Sequence, residues 1–108
     1  MIKMKVNNMH WKVFYHDINA QKISTYDIFD HRCFRVDIEK ELNFCETKEQ
    51  FAERLKANLM YYFWSKAEWE IVISAWVGGD ASKKIDVYTQ VMNNFDVFLD
   101  YVWSFKDK

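Results

Sequence analysis

The segment from Leu59 to Trp76 changes its hydrophobic period near its middle. Up to about Trp64 the apolar residues keep a helical spacing, and from residue 69 onward apolar and polar residues alternate. The alternating apolar residues are Trp69, Ile71, Ile73 and Ala75, and their neighbours are Glu68, Glu70, Val72 and Ser74. Alternation with a period of two is typical of a strand with one buried face. The pattern therefore predicts a helix followed by a strand, and Gly78 and Gly79 are expected to end that strand.

Two segments near the start of the chain predict a β-hairpin. Trp11 to His16 and Ile23 to Phe29 are rich in β-branched and aromatic residues and are separated by turn-forming residues. Asp30 can cap a first helix, which is expected to begin at His31 and to end near Asn43. The predicted core face of this helix consists of Phe34, Ile38 and Leu42.

Two more helices are predicted further along the chain. Thr47 and Gln50 form a capping box, in which each side chain accepts a hydrogen bond from the backbone N–H of the other residue. The helix that follows is expected to run to about Trp64, with an apolar stripe of Phe51, Leu55, Leu59 and Tyr62 or Phe63. After the glycines, Asp80 or Ser82 can cap one long helix. Its apolar residues are Ile85, Tyr88, Val91, Met92, Phe95, Phe98, Leu99 and Val102.

The predicted order of elements is ββααβα, and the fold class is α+β. We expect a small, three-stranded, mainly antiparallel sheet packed against three helices, because a lone sheet must bury its apolar face. The length of 108 residues suits a single domain spanning 1–108, in which 1–8 is expected to be a frayed leader. Half of the residues are hydrophobic, a composition far from that of disordered chains.

Charge and cysteine content limit the expected partners. The chain has 15 basic and 16 acidic residues and a formal charge of −1, so direct binding to nucleic acid is not expected. No apolar run reaches the ~20 residues that span a bilayer, so we expect no membrane partner. Cys33 and Cys45 lack the spacing of a zinc site or a redox pair, and no signal peptide precedes them. These features favour a cytoplasmic location.

The sequence does not contain the familiar motifs of catalysis or of metal and cofactor binding. Its three histidines do not stand at metal-ligand spacing, and on a helix the side chains of His31 and Cys33 would point about 200° apart. A nucleophile elbow, a Walker A loop and a dinucleotide fingerprint are absent. We expect no catalytic residue, no metal and no cofactor. The paired carboxylates of Glu68 and Glu70 leave an acid–base enzyme as an alternative.

The last predicted helix carries a row of carboxylates. Residues 85–105 include Asp86, Asp96 and Asp100 but no Lys or Arg. Asn93 is expected on the same side of the helix. Asp96 and Asp100 are neighbours on a helix and repel each other by roughly a few tenths of a kcal/mol. The row predicts a basic partner, either inside or outside the molecule, and the alternative is that the helix simply tolerates the repulsion.

Aromatic residues are too numerous to be buried completely in a domain of this size. The chain has five Trp, six Tyr and nine Phe, each with a surface of ~150–250 Å². Tyr61, Tyr62 and Trp64 cannot all face inward from one helix end, so they are predicted partner contacts. A mostly buried set with a few residues at a protein interface, including a homodimer interface, is favoured over a pocket that stacks on nucleobases.

Two blocks of the sequence, YYFWSKAEWEIVISAW and KKIDVYTQVMNNFDVFLDYVW, resemble a family of small proteins from phages and mobile elements of Firmicutes. A similar hairpin, FDH segment and FAERL-like helix extend the resemblance over nearly the whole chain after Met9. The family has no established activity, so no catalytic residue is transferred. The resemblance implies an accessory protein that is expressed inside an infected bacterium, where many such proteins inhibit host defence.

Three functional hypotheses follow. The first is a non-enzymatic inhibitor of the anti-CRISPR type, which binds a bacterial nuclease complex and places its acidic last helix in a site built for phosphates. The second is a protein that sequesters a nucleotide signal between aromatic side chains. The third is a structural or regulatory adaptor without a ligand. The predicted partner-binding residues are Tyr61, Tyr62, Trp64, Asp86, Asn93, Asp96 and Asp100.

Overall fold

A computed structural model describes residues 8–17, 20–65 and 81–106. Strands β1 (Lys12–Asp17) and β2 (Lys22–Asp27) pair as an antiparallel hairpin. The helices are α1 (Arg32–Phe44), α2 (Lys48–Leu59), α3 (Ala81–Asn93) and α4 (Phe95–Trp103). A 3₁₀ turn (Ile28–Asp30) precedes α1, and a π-helical segment (Met60–Ser65) continues α2. These elements confirm the predicted α+β class.

The hairpin forms as predicted, with Phe14 directly opposite Thr25. Its second strand is shorter than the sequence suggested and ends at Asp27 instead of Phe29. The Asp27 carboxylate accepts the Phe29 N–H at 3.0 Å and thereby caps the 3₁₀ turn. The chain consequently leaves the sheet two residues early and turns into α1.

Helices α1 and α2 confirm the predicted apolar stripes. Their buried residues are Phe34, Ile38 and Leu42 in α1 and Phe51, Leu55 and Leu59 in α2. The Thr47 hydroxyl caps α2 by accepting the Gln50 N–H at 3.1 Å, as predicted. The Gln50 side chain, however, accepts the N–H of Glu46 at 3.0 Å instead of that of Thr47. Likewise His31, and not Asp30, caps α1, because its Nδ1 accepts the Phe34 N–H at 3.4 Å.

The end of α2 widens into a π-helical turn over Met60–Ser65. A π-helical turn closes over one more residue than an α-helical turn does. Both Tyr62 and Phe63 are buried there, although the sequence pattern left open which of the two would be. Tyr61 lies on the outside of the same turn, with 58% of its surface exposed.

The last helix is broken, which corrects the single long helix predicted from the sequence. Asn94 has φ −127° and ψ 40°, outside the helical region, and it separates α3 from α4. The two helices have different neighbours, because α3 packs against β1 and the π-helical segment whereas α4 packs against α2. Asparagine suits such a boundary, since its side chain favours helix ends over helix interiors. The described residues therefore form four helices and not three.

Aromatic rings connect the parts of the core. The ring of Phe98 in α4 lies 5.1 Å from the ring of Trp11 and 6.0 Å from that of Phe29. The ring of Phe34 in α1 in turn lies 5.7 Å from Phe29 and 5.2 Å from Phe63. This continuous series of ring contacts joins the hairpin, the 3₁₀ turn and three helical elements in one interior.

Over the described residues the sheet has two strands, whereas the sequence predicts three. The predicted third strand, from Trp69 to Ala75, lies outside the described residues, as do Glu68, Glu70 and residues 1–7. The described order is ββαααα, which differs from the predicted ββααβα because of the break at Asn94 and because that strand is not described. Element order is thus confirmed only as far as the end of α2.

Candidate binding surface

The seven residues predicted to bind a partner do not form one continuous row. They lie at four places: on the π-helical segment, in the middle of α3, around the break at Asn94, and on the side of α4 that faces α2. The break separates Asp86 from Asp96 and Asp100, because residues before and after it no longer follow one helical spacing. Asp96 and Asp100 remain one turn apart on α4.

Tyr62 belongs to the interior. Only 9% of its surface is exposed, and its hydroxyl donates a hydrogen bond to the Asp37 carboxylate of α1. Its ring contacts those of His31 at 5.1 Å and Phe34 at 6.1 Å, both edge-on. The hydrogen bond to Asp37, together with burial, raises the pKa of Tyr62 well above its ordinary value. The phenol stays protonated and anchors the π-helical segment to α1.

Tyr61 and Met60 form an exposed apolar surface, which we call the α2-end surface. Their exposed fractions are 58% for Tyr61 and 48% for Met60. The Tyr61 ring packs edge-on against the ring of Tyr62, with 4.7 Å between the ring centres. This contact holds the Tyr61 ring in place although most of its surface faces solvent. Trp64 is partly buried and lies 5.6 Å from the ring of Tyr88 in α3. Of the three predicted aromatic contacts, Tyr61 is the most exposed.

Asp86 is bound to the hairpin. Its Oδ2 accepts the His16 N–H at 2.8 Å and lies 3.1 Å from His16 Nδ1. One turn later, Gln90 accepts the Phe14 N–H at 2.9 Å and donates to the Phe14 carbonyl. In β1, the N–H and C=O groups of every second residue point away from β2. The Phe14 and His16 groups that contact α3 are of this kind. Two side chains of α3 therefore occupy the outer edge of β1 as a neighbouring strand would.

Asp100 faces α2 and forms an ion pair with Lys48. Both side chains are exposed, 64% for Asp100 and 41% for Lys48. Exposed ion pairs contribute only about 0–1 kcal/mol, since water and salt screen them. The negative charge of Asp100 is nevertheless compensated by a neighbour that comes from a distant part of the sequence.

Asn93 and Asp96 lie together at the break between α3 and α4, beside an open cleft of about 480 Å³. We call it the junction cleft, and it is lined by Lys56, Met92, Asn93, Asn94, Phe95, Asp96 and Val97. The Lys56 ammonium lies over the Phe95 ring, 5.1 Å from its centre. The volume is within the ~300–1,000 Å³ range of many ligand sites.

Two side chains of the junction cleft, those of Asp96 and Asn94, are available to a ligand. Asp96 is exposed, and none of the ion pairs within the described residues includes it. Asn94 occupies the cap position of α4 without making a side-chain cap hydrogen bond. The cleft therefore combines a carboxylate outside any ion pair with side-chain amides, and the oxygen atoms of these groups can accept hydrogen bonds from an incoming ligand.

Sequence reasoning missed several residues of these surfaces. Lys56 and Val97 line the junction cleft, and Met60 adjoins Tyr61, but a single residue of these types in a helix carries no sequence signal of exposure. The doublet Asn93-Asn94 inside an apolar helical pattern is the signal that could have located the break. Other exposed large apolar residues are Phe14 and Ile23, which line a cavity together with Asp86, and Phe44.

Within ranges 8–17, 20–65 and 81–106, no group of three or more His, Cys, Asp or Glu side chains is placed to hold a metal ion. Cys33 is exposed and Cys45 is buried, and both are free thiols. In the same part of the chain, no helix is long and apolar enough to cross a membrane.

Comparison of the chain with protein-family models, with curated proteins and with solved structures finds no match. No residue role is therefore transferred from a relative, and the surfaces above are interpreted from their own geometry.

Proposed function

We propose that this protein acts by binding, as a non-enzymatic inhibitor of a bacterial defence nuclease, of the anti-CRISPR type. The observation that carries the proposal is the α2-end surface, where the consecutive residues Met60 and Tyr61 are both exposed. Tyrosine and methionine are enriched at protein interfaces, and aromatic anchors dominate their binding energy. The sequence resemblance to phage and mobile-element proteins supports the setting, which is the cytoplasm of an infected bacterium.

Only one of the three predicted carboxylates is available to imitate a phosphate group, whereas a continuous acidic helix would have offered all three. Asp86 is bound to the hairpin and Asp100 is paired with Lys48, so neither is free to contact a partner at no cost. Asp96 is exposed and unpaired among the described residues. In this proposal Tyr61 supplies most of the affinity, and Asp96 supplies the charge that a basic nuclease channel recognises.

The proposal is tested by mixing the purified full-length chain with a panel of guide-loaded nuclease effectors and measuring co-elution and DNA cleavage. At least one effector should bind the chain and lose activity. Tyr61→Ala should weaken that inhibition by about tenfold or more, because truncating a central aromatic anchor commonly costs about 2 kcal/mol. Phe44→Ala is the matched control, since Phe44 is also exposed but lies at the opposite end of the α1–α2 pair.

Two results would contradict this proposal. The first is that no effector binds the chain or is inhibited by it. The second is that Tyr61→Ala and Phe44→Ala weaken inhibition equally, because the α2-end surface would then have no special part in binding.

A nucleotide-sequestering protein is the second candidate, and the junction cleft favours it. The cleft has the volume of a small-ligand site, and Lys56 supplies a positive charge beside an aromatic ring. Millimolar cyclic or linear nucleotides should then raise the melting temperature of the parent chain, because a ligand that binds the folded state stabilises it. Lys56→Gln should reduce that rise. Unchanged melting temperatures across the nucleotide set would count against this candidate.

A further inference from the structure

We infer that the junction cleft receives a basic side chain, arginine or lysine, from a protein partner. This inference rests on the proposed function, since it names the chemistry of the partner that the inhibitor binds. Asp96 would pair with the cationic group, and Val97 and Met92 would contact its aliphatic stem. Three properties of the cleft favour such a side chain: its charge, its hydrogen-bond acceptors and its exposed apolar lining.

Charge favours a cation at the Asp96 side of the cleft. The other two Asp residues of α3 and α4 have partners, at His16 for Asp86 and at Lys48 for Asp100. Asp96 is exposed in the first turn of α4 and forms no ion pair with a described residue. An anion is disfavoured at this side of the cleft, because the Asp96 carboxylate repels it, and the nucleotide of the second candidate function would have to bind at the Lys56 side.

Hydrogen-bond acceptors also lie at the break between the two helices. Helix α3 ends at Asn93, and the last carbonyl groups of a helix lack donors within that helix, although here the Val91 carbonyl accepts the Asn94 N–H at 3.2 Å. The amide side chains of Asn93 and Asn94 line the cleft. A guanidinium or ammonium group carries several N–H donors and no acceptor. The acceptors of the cleft therefore match the donors of a basic side chain.

Lys56 defines the side from which the cation approaches. Its ammonium lies 5.1 Å above the centre of the Phe95 ring, which attracts cations through its electron-rich face. An incoming cation is repelled by this ammonium and is directed toward Asp96. Removal of the Lys56 charge should therefore strengthen the binding of a basic ligand.

The apolar lining suits the stem of such a side chain. Val97 is 58% exposed beside Asp96, and Met92 is partly buried next to it in the cleft. Lysine and arginine pack their aliphatic stems along apolar surface while the charged group reaches a polar partner. A partner that presents arginine or lysine thus meets both kinds of surface at one place.

The inference is tested by NMR titration of the ¹⁵N-labelled full-length chain with the capped peptide acetyl-Gly-Arg-Leu-amide. Its citrulline analogue is the matched probe, because it keeps the size of arginine without the charge. We expect the arginine peptide to shift the amide signals of residues 93–97 at millimolar concentration, and the citrulline peptide to shift them little. Asp96→Asn should weaken arginine-peptide binding by about two- to fivefold, as expected for an exposed ion pair.

Two further variants make the test discriminating. Asp100→Asn removes a carboxylate from the same helix that is already paired, so it should leave peptide binding unchanged. Lys56→Gln should strengthen peptide binding. The inference is overturned when the arginine peptide shifts no signal in residues 93–97, when both peptides shift those signals equally, or when Asp96→Asn and Asp100→Asn behave alike.

The nuclease assay separates this inference from the proposed function. If an effector is inhibited and Asp96→Asn does not weaken the inhibition, the proposed function stands and the junction cleft is not the place of contact. If the arginine peptide binds the cleft and no effector is inhibited, the cleft recognises basic side chains and the proposed nuclease partner is wrong.

Discussion

Asp27 shows how one residue can hold several segments together. It is only 7% exposed, and its Oδ1 accepts the N–H groups of Trp11 at 3.1 Å and Phe29 at 3.0 Å. Its Oδ2 lies 2.9 Å from His10 Nδ1. Burial by itself raises the pKa of the Asp27 carboxyl, but the hydrogen bonds from Trp11, His10 and Phe29 outweigh burial and hold the pKa below its ordinary value.

Asp27→Ala should lower the free energy of unfolding by about 2 kcal/mol or more, because it leaves two backbone N–H groups without their acceptor. Urea unfolding at neutral pH measures this loss. Asp30→Ala is the control, since Asp30 is exposed at the end of the same turn, and such surface substitutions change stability by about 0.5 kcal/mol or less. Equal losses in the two variants would show that the Asp27 contacts do not stabilise the fold.

The free energy of unfolding should also fall at acidic pH as Asp27 becomes protonated. The pKa of Asp27 is lower in the folded chain than the ordinary value of ~3.9, so its contribution is fully present above about pH 5 and is lost as the pH falls through the folded pKa. Asp27→Asn removes this titration. Its unfolding free energy should therefore fall less between about pH 5 and pH 3 than that of the parent chain, as measured by urea unfolding at each pH.

Tyr62 and Tyr61 give a second comparison between neighbouring residues. Tyr62→Phe removes the hydrogen bond to Asp37 and should cost about 1–2 kcal/mol, because the acceptor is a partly buried carboxylate. Tyr61→Phe should change stability by less than about 0.5 kcal/mol, since Tyr61 is exposed and its hydroxyl makes no hydrogen bond to a described residue. Thermal unfolding of both variants measures these losses. Equal stability of the two variants would show that the hydroxyl of Tyr62 does not stabilise the fold.

At the scale of the elements, helix α3 covers the outer edge of strand β1. An edge strand normally exposes unpaired N–H and C=O groups, which invite pairing with another chain. Here Asp86 and Gln90, one turn apart on α3, satisfy the backbone of His16 and Phe14. A helix therefore protects the strand edge, and Asp86 accepts a hydrogen bond from the backbone of that edge.

Gln90→Ala should expose the edge of β1. The Phe14 amide should exchange with deuterium about five- to tenfold faster, because losing one hydrogen bond costs about 1 kcal/mol of local protection. Hydrogen exchange followed by NMR measures the rate. Thr89→Ala alters the adjacent, exposed residue of α3 and should leave the exchange of Phe14 unchanged. An equal effect of both variants would indicate a general loosening of α3.

For the molecule as a whole, Phe98 connects regions that are far apart in the sequence. It is fully buried in α4, and its ring contacts Trp11 before the hairpin and Phe29 after it. A buried phenylalanine contributes through the area it removes from water and through close packing. Phe98 therefore ties the end of the described chain to its beginning.

Phe98→Ala should lower the free energy of unfolding by about 3–5 kcal/mol, as is usual when a buried phenylalanine is truncated. Urea unfolding measures the loss, and circular dichroism shows whether the helices persist. Val97→Ala, at the exposed neighbouring position, should cost less than about 0.5 kcal/mol. A loss below about 1 kcal/mol for Phe98→Ala would mean that the core does not depend on this ring.

The sequence by itself determined the local elements of this protein. The hairpin, the stripes of α1 and α2 and the Thr47 cap follow from periodicity and capping chemistry, because each depends on residues close together in the chain. The tertiary structure alone decided the break at Asn94 and the burial of both Tyr62 and Phe63. It also decided which carboxylates have partners. The partner of Asp100 lies 52 residues away in the sequence, and no local pattern encodes such a contact.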